Sequence, residues 1–242
     1  MRTSGHTVLI TGGSAGIGLA LSKRFAASGN RVIAVGRDSR KLLWLKEALP
    51  QVETIACDLG DGIQRERLIH TLKEQYPDLS IIVNNAGIQY NYSFLEEKEP
   101  RIAEEIAINL TAPIELCSGL LPLLKTKEEA AIVNISSGLG LVPKTSGAVY
   151  CASKAGLHLF SKALRHQLEG TNVRVFEVLP PVIDTDMTRG RGRNKLSPDR
   201  LVDEFMPAFA GNRFEIAIGK VKLLRWLVRI APGAADRLFK ND

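Results

Sequence analysis

Six short runs of apolar and β-branched residues recur along the chain, most of them followed by a longer amphipathic stretch. The runs are Thr7–Thr11, Val32–Gly36, Thr54–Cys57, Ile81–Asn84, Ala131–Ile135 and Val173–Val178. They are apolar nearly throughout rather than alternating, which is the pattern of strands covered on both faces. Between them Gly16–Ser28, Ser39–Leu49, Ile63–Tyr76, Ile102–Lys125 and Ala148–Leu168 carry helical spacing. Such an alternation with short turns implies right-handed crossovers within one parallel sheet. The expected fold is therefore α/β, a single-domain doubly wound parallel sheet of about seven strands with helices on both faces. The seventh strand is expected at Glu215–Gly219. Ligands bind such sheets beyond the carboxyl ends of the strands, so residues there carry the most information.

The first run passes directly into Thr11-Gly12-Gly13-Ser14-Ala15-Gly16-Ile17-Gly18 and then a helix. Glycine serves two ends in such a turn. It adopts backbone angles that a Cβ forbids, and it lets a pyrophosphate approach the N–H groups at a helix start. This placement makes the sheet a Rossmann-type one with a dinucleotide site. The second run ends in Val35-Gly36-Arg37-Asp38. An acid at that point would bind a ribose 2′-hydroxyl and repel a 2′-phosphate, whereas an arginine grips a phosphate as a fork. Arg37 therefore points to NADP(H), with NAD(H) left open by Asp38 beside it.

Tyr150-Cys151-Ala152-Ser153-Lys154 lies near the start of a helix, which places Tyr150 and Lys154 on one face. A phenol is a poor base at neutral pH, and a neighbouring ammonium is expected to lower its pKa toward the range of acid–base catalysis. The fourth and fifth strands end in Asn84-Asn85-Ala86-Gly87 and Asn134-Ile135-Ser136-Ser137-Gly138. A serine hydroxyl there can hold a substrate oxygen on which charge develops. Asn109 stands inside an apolar helix start, where asparagine is an awkward helix former.

In order and spacing, Thr11-Gly12-x3-Gly16-x-Gly18, Asn84-Asn85-Ala86-Gly87, Asn109, Ser137 and Tyr150-x3-Lys154 resemble the short-chain dehydrogenase/reductase family over about residues 6–188. The resemblance implies a catalytic set. Tyr150 exchanges the proton with the substrate oxygen, Ser137 holds that oxygen, Lys154 tunes the tyrosine and bonds the nicotinamide ribose, and Asn109 orders a helix kink and a water relay. It further implies that Asp58 and Leu59 flank the adenine, that Asn85 lines the ribose path, that Ala86 and Gly87 belong to the cofactor site, and that Ile183 and Thr185 anchor the carboxamide. One departure is visible, since the family's Pro-Gly after the sixth strand is Pro180-Pro181 here and proline lacks an N–H. Within the family, Asn85-Ala86-Gly87-Ile88-Gln89, Leu164-Arg165-His166-Gln167-Leu168 and the Lys222–Pro232 tail are similar to the DltE-like oxidoreductases. That similarity implies no particular substrate.

The expected function is an NADP(H)-dependent oxidoreductase that interconverts a carbonyl and an alcohol. The rival is a catalytically silent NADP(H)-binding sensor or scaffold, and a further reading is epimerase or dehydratase chemistry without net cofactor oxidation. An intact Asn109, Ser137, Tyr150 and Lys154 set argues against the silent reading, which needs no proton donor.

Charge is uneven. Residues 1–188 hold 20 basic and 20 acidic side chains, whereas 189–242 hold 12 and 6, the whole of the +6 excess. Met187-Thr188-Arg189-Gly190-Arg191-Gly192-Arg193-Asn194-Lys195 is glycine-rich and basic. It reads either as a lid over an anionic or polar substrate or as a solvated loop, and 189–242 as lid and C-terminal extension. In Lys220–Ile230 an apolar stripe at Leu223, Leu227 and Ile230 faces away from Lys222, Arg225 and Arg229. It reads as packing, with peripheral membrane contact the lesser alternative. Nucleic acid is not expected, for want of a groove-reading motif. Neither the three cysteines nor His6, His70, His158 and His166 show ligand spacing, so no metal is expected. With no leader and no run of about 18 apolar residues, a cytoplasmic protein is expected. The apolar surface of Ile102–Lys125 and Ala148–Leu168 points to a homodimer or homotetramer.

Overall fold

A computed structural model describes residues 1–96, 101–192 and 194–240. Strands β1 (Thr7–Thr11), β2 (Arg31–Gly36), β3 (Val52–Ala56), β4 (Leu79–Asn84), β5 (Ala130–Ile135), β6 (Val173–Leu179) and β7 (Glu215–Ala217) form one sheet in the order β3-β2-β1-β4-β5-β6-β7. Every pairing is parallel. Strand order reverses between β1 and β4, which opens a crevice at their carboxyl ends.

Helices α1 (Gly16–Ala27), α2 (Ser39–Ala48) and α3 (Gly62–Gln75) link the first four strands. Then α4 (Ile102–Ile106) passes through a π turn at Ala107–Thr111 into α5 (Ala112–Leu124). Helical spacing reads this stretch as one helix, and the π turn falls at Asn109, where the resemblance implies a kink. After β5 come α6 (Ala148–Gln167), α7 (Pro198–Ala210), α8 (Val221–Ile230) and α9 (Pro232–Phe239). Adjacent residues of β1 face opposite layers. Val8 and Ile10 join the core that holds Phe25, Phe176, Phe205 and Phe209, while Leu9 joins the core that holds Leu68, Leu116 and Leu120. Burial on both sides is why the strands are apolar throughout. A third, smaller cluster of Val142, Leu179, Val221, Leu224 and Ala235 seats α8 and α9 on the sheet edge.

Ile102–Leu124 is long and apolar enough to cross a membrane by length and composition alone. Its Leu116, Cys117, Leu120 and Leu124 are buried in the core instead. The sequence criterion passed over it because Glu104, Glu105, Asn109 and Glu115 interrupt the apolar run.

Candidate active site

The carboxyl ends of the central strands open onto one cleft of about 740 Å³, a volume typical of a site that encloses a ligand. After β1 the chain turns through Gly12 (φ +65°) and Gly16 (φ +50°), left-handed angles that a side chain disfavours. Space makes a second demand: a Cβ on Gly12 would lie 3.0 Å from Asn85 Nδ2, and one on Gly16 would lie 2.8 Å from Thr185 Cγ2. Helix α1 has no side-chain cap and no acid in its first turn. No side chain therefore competes for its leading N–H groups, the arrangement that receives a pyrophosphate. Thr11 Oγ1 accepts from the N–H groups of Asn85 (2.9 Å) and Ala86 (3.0 Å), and the Asn85 side chain donates to the Thr11 carbonyl (2.8 Å). These bonds lock the glycine turn to the end of β4.

Arg37 lines the cleft beyond β2, with Glu104 at 3.6 Å. The Asp38 carboxylate is engaged as the N-cap of α2, accepting from the N–H groups of Arg40 (3.0 Å) and Lys41 (3.2 Å). Asp58 and Leu59 extend this wall. The Asp58 carboxylate accepts from Gly60 N–H at 2.8 Å, and buried Arg65 donates to the Leu59 carbonyl at 2.7 Å.

Tyr150 and Lys154 sit one turn apart on α6, both buried, with the ammonium 5.8 Å from the ring centroid. Lys154 Nζ donates to the Ile135 carbonyl at 2.9 Å, and an ammonium has two further donors to offer. Burial drives Lys154 down to about 8, while Glu177 and Glu105 pull it upward. Burial also pushes the Tyr150 phenol up to about 12, against the downward pull of Ser137 and of the Arg191 charge. The direction opposes the one expected from sequence. Desolvation outweighs every neighbouring charge and holds both side chains toward their neutral forms.

The two serines after β5 divide. Ser137 faces the phenol, whose pKa it draws down, and accepts from Leu139 N–H at 3.1 Å, whereas Ser136 donates to the Lys154 carbonyl at 3.3 Å. Asn109 is fully buried in the π turn. Its Oδ1 accepts from Ile88 N–H (2.9 Å) and its Nδ2 donates to the Ile88 carbonyl (2.9 Å) and Ser153 Oγ (3.1 Å). The side chain fastens the β4 loop to α6 and lies behind the cleft wall. Beneath it Asn84 Nδ2 donates to Asn134 Oδ1 (2.8 Å), and Asn134 Nδ2 to Ser161 Oγ (2.9 Å), a buried ladder across β4, β5 and α6.

Comparison with known proteins decides the family. The family model described as short chain dehydrogenase matches residues 6–196. The chain belongs to the short-chain dehydrogenase family. It is 41% identical to the oxidoreductase DltE of Bacillus subtilis (strain 168), with 100% of this chain and 98% of that protein covered. A serine 3-dehydrogenase of Agrobacterium fabrum is 34% identical, with 84% and 83% covered. A short-chain dehydrogenase of Burkholderia cenocepacia J2315, solved in complex with NADP, superposes with a TM-score of 0.86 at 26% identity, covering 97% of each chain. The protein is thus an oxidoreductase enzyme of this family, with a Rossmann-like seven-stranded parallel sheet.

In this dehydrogenase Gly12, Ser14, Ala15, Gly16, Ile17, Arg37, Asp58, Leu59, Asn85, Ala86, Gly87, Ser137, Tyr150, Lys154, Ile183 and Thr185 all line the one cleft. Two of the residues singled out from sequence do not. Asn109 lies behind the wall, and Gly18 is buried in α1, where a Cβ would stand 2.1 Å from the Gly12 carbonyl oxygen. Sequence reasoning missed Lys41, Gln89 and Lys144, which also line the cleft, and α7 as a whole. The signal for α7 was present: Ser197 caps it through Arg200 N–H, Pro198 starts it, and Leu201, Val202, Phe205 and Phe209 repeat on its buried face. After β6 the Pro180 carbonyl accepts from Gly138 N–H at 3.0 Å, which joins the double proline to the Ser137 loop. Of the basic loop, Arg189 pairs with Asp186 and Arg191 lines the cleft, while Arg193 lies outside the described residues. Among the described residues no cluster of three or more metal-ligating side chains occurs.

Proposed function

We propose that the protein is an NADP(H)-dependent reductase of ketones or aldehydes, equally the dehydrogenase of the matching alcohols. The observation that carries this reading is the convergence of Ser137, Tyr150 and Lys154 on the same cleft as the glycine turn. The residues present fit the cofactor. The uncapped start of α1 suits the pyrophosphate, and the two free donors of Lys154 suit the hydroxyls of a ribose. Gly87 leaves room there, because a Cβ on it would lie 3.5 Å from Lys154 Nζ.

Bound NADPH supplies the hydride that reduces the carbonyl carbon. The protein's own residues handle the oxygen. Ser137, its lone pair held by Leu139 N–H, keeps a hydroxyl proton to donate to the carbonyl oxygen. Tyr150 gives that oxygen its proton. A phenol raised to about 12 stays protonated through neutral pH and so is loaded as the acid of the reduction direction. Asn109 keeps α6 in place against the β4 loop and acts through position alone.

A panel of ketones and aldehydes followed by NADPH absorbance tests the reading. One alcohol should form per NADPH consumed, and product without net NADPH loss would point to epimerase or dehydratase chemistry instead. Preference for NADP(H) rests on Arg37, with support from the NADP complex of the Burkholderia cenocepacia relative. Arg37→Ala should weaken NADPH binding about 10- to 100-fold, the worth of one charge-assisted contact. NADH affinity, read by nicotinamide fluorescence, should change less than about twofold, and equal losses for both would remove Arg37 from phosphate reading.

A further inference from the structure

The half of the cleft beyond Tyr150 differs in character from the half that receives the dinucleotide. Acids line the cleft only at Asp38, Asp58 and Asp186 among the described residues. Each is already committed: Asp38 caps α2, Asp58 accepts from Gly60 N–H, and Asp186 pairs with Lys41 and Arg189. Apart from Lys154, the cationic lining residues outside the dinucleotide half are Lys144, Arg191 and Lys220, and no carboxylate pairs with any of the three among the described residues. Arg191 is held in place by neutral oxygens. Nη1 reaches Asn91 Oδ1 at 3.3 Å and Nη2 donates to the Met187 carbonyl at 2.6 Å. These two bonds stretch it from the loop after β6 to the loop after β4, and its side chain lines the cleft between them. Its charge is felt at the phenol, whose pKa it draws down.

The facing wall is hydrocarbon. Leu139, Val221, Leu224 and Leu227 form its inner part. At the rim Leu223 and Leu238, on α8 and α9, stay 73% and 66% exposed although they line the same cleft. Two large leucines at a cleft mouth, with no neighbour among the described residues to cover them, are a surface shaped for an apolar ligand.

Resting on the reductase reading above, we propose that this half of the cleft binds an oxo acid with an unbranched hydrocarbon chain. The carboxylate pairs with Arg191, and the chain runs outward along Leu227, Leu223 and Leu238. A guanidinium fork matches a planar carboxylate, and of the three cations Arg191 alone presents such a fork. The apolar rim then has an occupant, and the carbonyl sits between carboxylate and chain, at Ser137 and Tyr150.

The experiment is calorimetric titration of the enzyme–NADP+ complex with octanoate, octanamide and butyrate, none of which can be turned over. Octanoate should bind at least about tenfold tighter than its neutral isostere octanamide. Each methylene between butyrate and octanoate should add about two- to fourfold. Arg191→Gln should cost octanoate about 10- to 100-fold and leave octanamide and NADP+ within twofold. If Arg191 serves only to staple its loop, octanamide and NADP+ binding fall with it, and the proposal is overturned. Equal binding of octanoate and octanamide, or an affinity independent of chain length, also overturns it.

Turnover separates this proposal from the reading beneath it. Oxo-octanoates should exceed octan-2-one at least tenfold in kcat/KM. Equal values would sink the oxo-acid site and leave the reductase intact. Absence of NADPH oxidation with every carbonyl, beside Arg191-dependent octanoate binding, would sink the reductase and leave the anion site standing.

Discussion

Tyr150→Phe should lower kcat by about 10²- to 10⁴-fold, the range for loss of a positioned general acid, while NADPH affinity changes less than about threefold. The phenol oxygen is the only atom removed, and the ring stays in a site that is already buried. Stopped-flow absorbance reads the first quantity and nicotinamide fluorescence the second. A variant with turnover near the wild-type rate would place the proton donor elsewhere. The pH profile carries a sign that follows from burial. Tyr150 sits at about 12 and Lys154 at about 8. Ketone reduction should therefore be flat through neutral pH, because the acid stays loaded, and should decline above about pH 8 as Lys154 loses its proton and its grip on ribose. Alcohol oxidation needs the phenolate and should rise with pH through the neutral range, up to the same loss of the Lys154 proton. A reduction rate that falls steadily between pH 6 and 7.5 would contradict this assignment.

Gly18→Ala should be the most damaging conservative substitution in the glycine turn. The added methyl would stand 2.1 Å from the Gly12 carbonyl oxygen and 2.6 Å from Asn85 Nδ2. Neither neighbour is free to retreat, since Gly12 lies in the turn itself and Asn85 is bonded to the Thr11 carbonyl. Relief requires moving α1 away from the turn, which costs about 3 kcal/mol or more in stability and spreads the pyrophosphate cradle. Urea denaturation and NADPH titration should both register the loss. Gly29→Ala is the control. It has the same chemistry at a position of φ +78° with nothing within 4 Å, and its backbone strain should cost only about 1 kcal/mol. Should Gly18→Ala match Gly29→Ala in stability and keep its cofactor, the close-approach argument would be wrong.

How much of this was legible beforehand depended on whether a residue's role was local. The interior strands were readable because burial on both faces leaves a continuous apolar run. β3 was readable only in part, since it begins at Val52 rather than Thr54. It is an edge strand with a single neighbour, so polar Glu53 and Thr54 are tolerated within it. Asn109 stood out as a poor helix former, but periodicity alone cannot distinguish a π turn from a straight helix. The glycines of the turn were legible as a group. That Gly18 serves helix packing while Gly12 and Gly16 serve the cleft became visible only through what a Cβ would strike. The sign of the Tyr150 shift was misread for a related reason. Sequence spacing reveals the ammonium four residues away and nothing of the desolvation that outweighs it. The Asn84-Asn134-Ser161 ladder joins residues far apart in the chain and left no trace in any local pattern.

The small cluster that seats α8 and α9 has a consequence for how this enzyme can change. Val142, Leu179, Val221, Leu224 and Ala235 form a body of their own beside the two large cores. Contacts this few open at a lower free energy than the sheet does. The cleft rim made by α8 and α9 is therefore expected to open while the sheet stays folded, and amide hydrogens of α8 and α9 should exchange well before those of β1 and β4. On the substrate half proposed above, selectivity would be housed in a replaceable annex, where substitutions retune what is admitted without endangering the foundations.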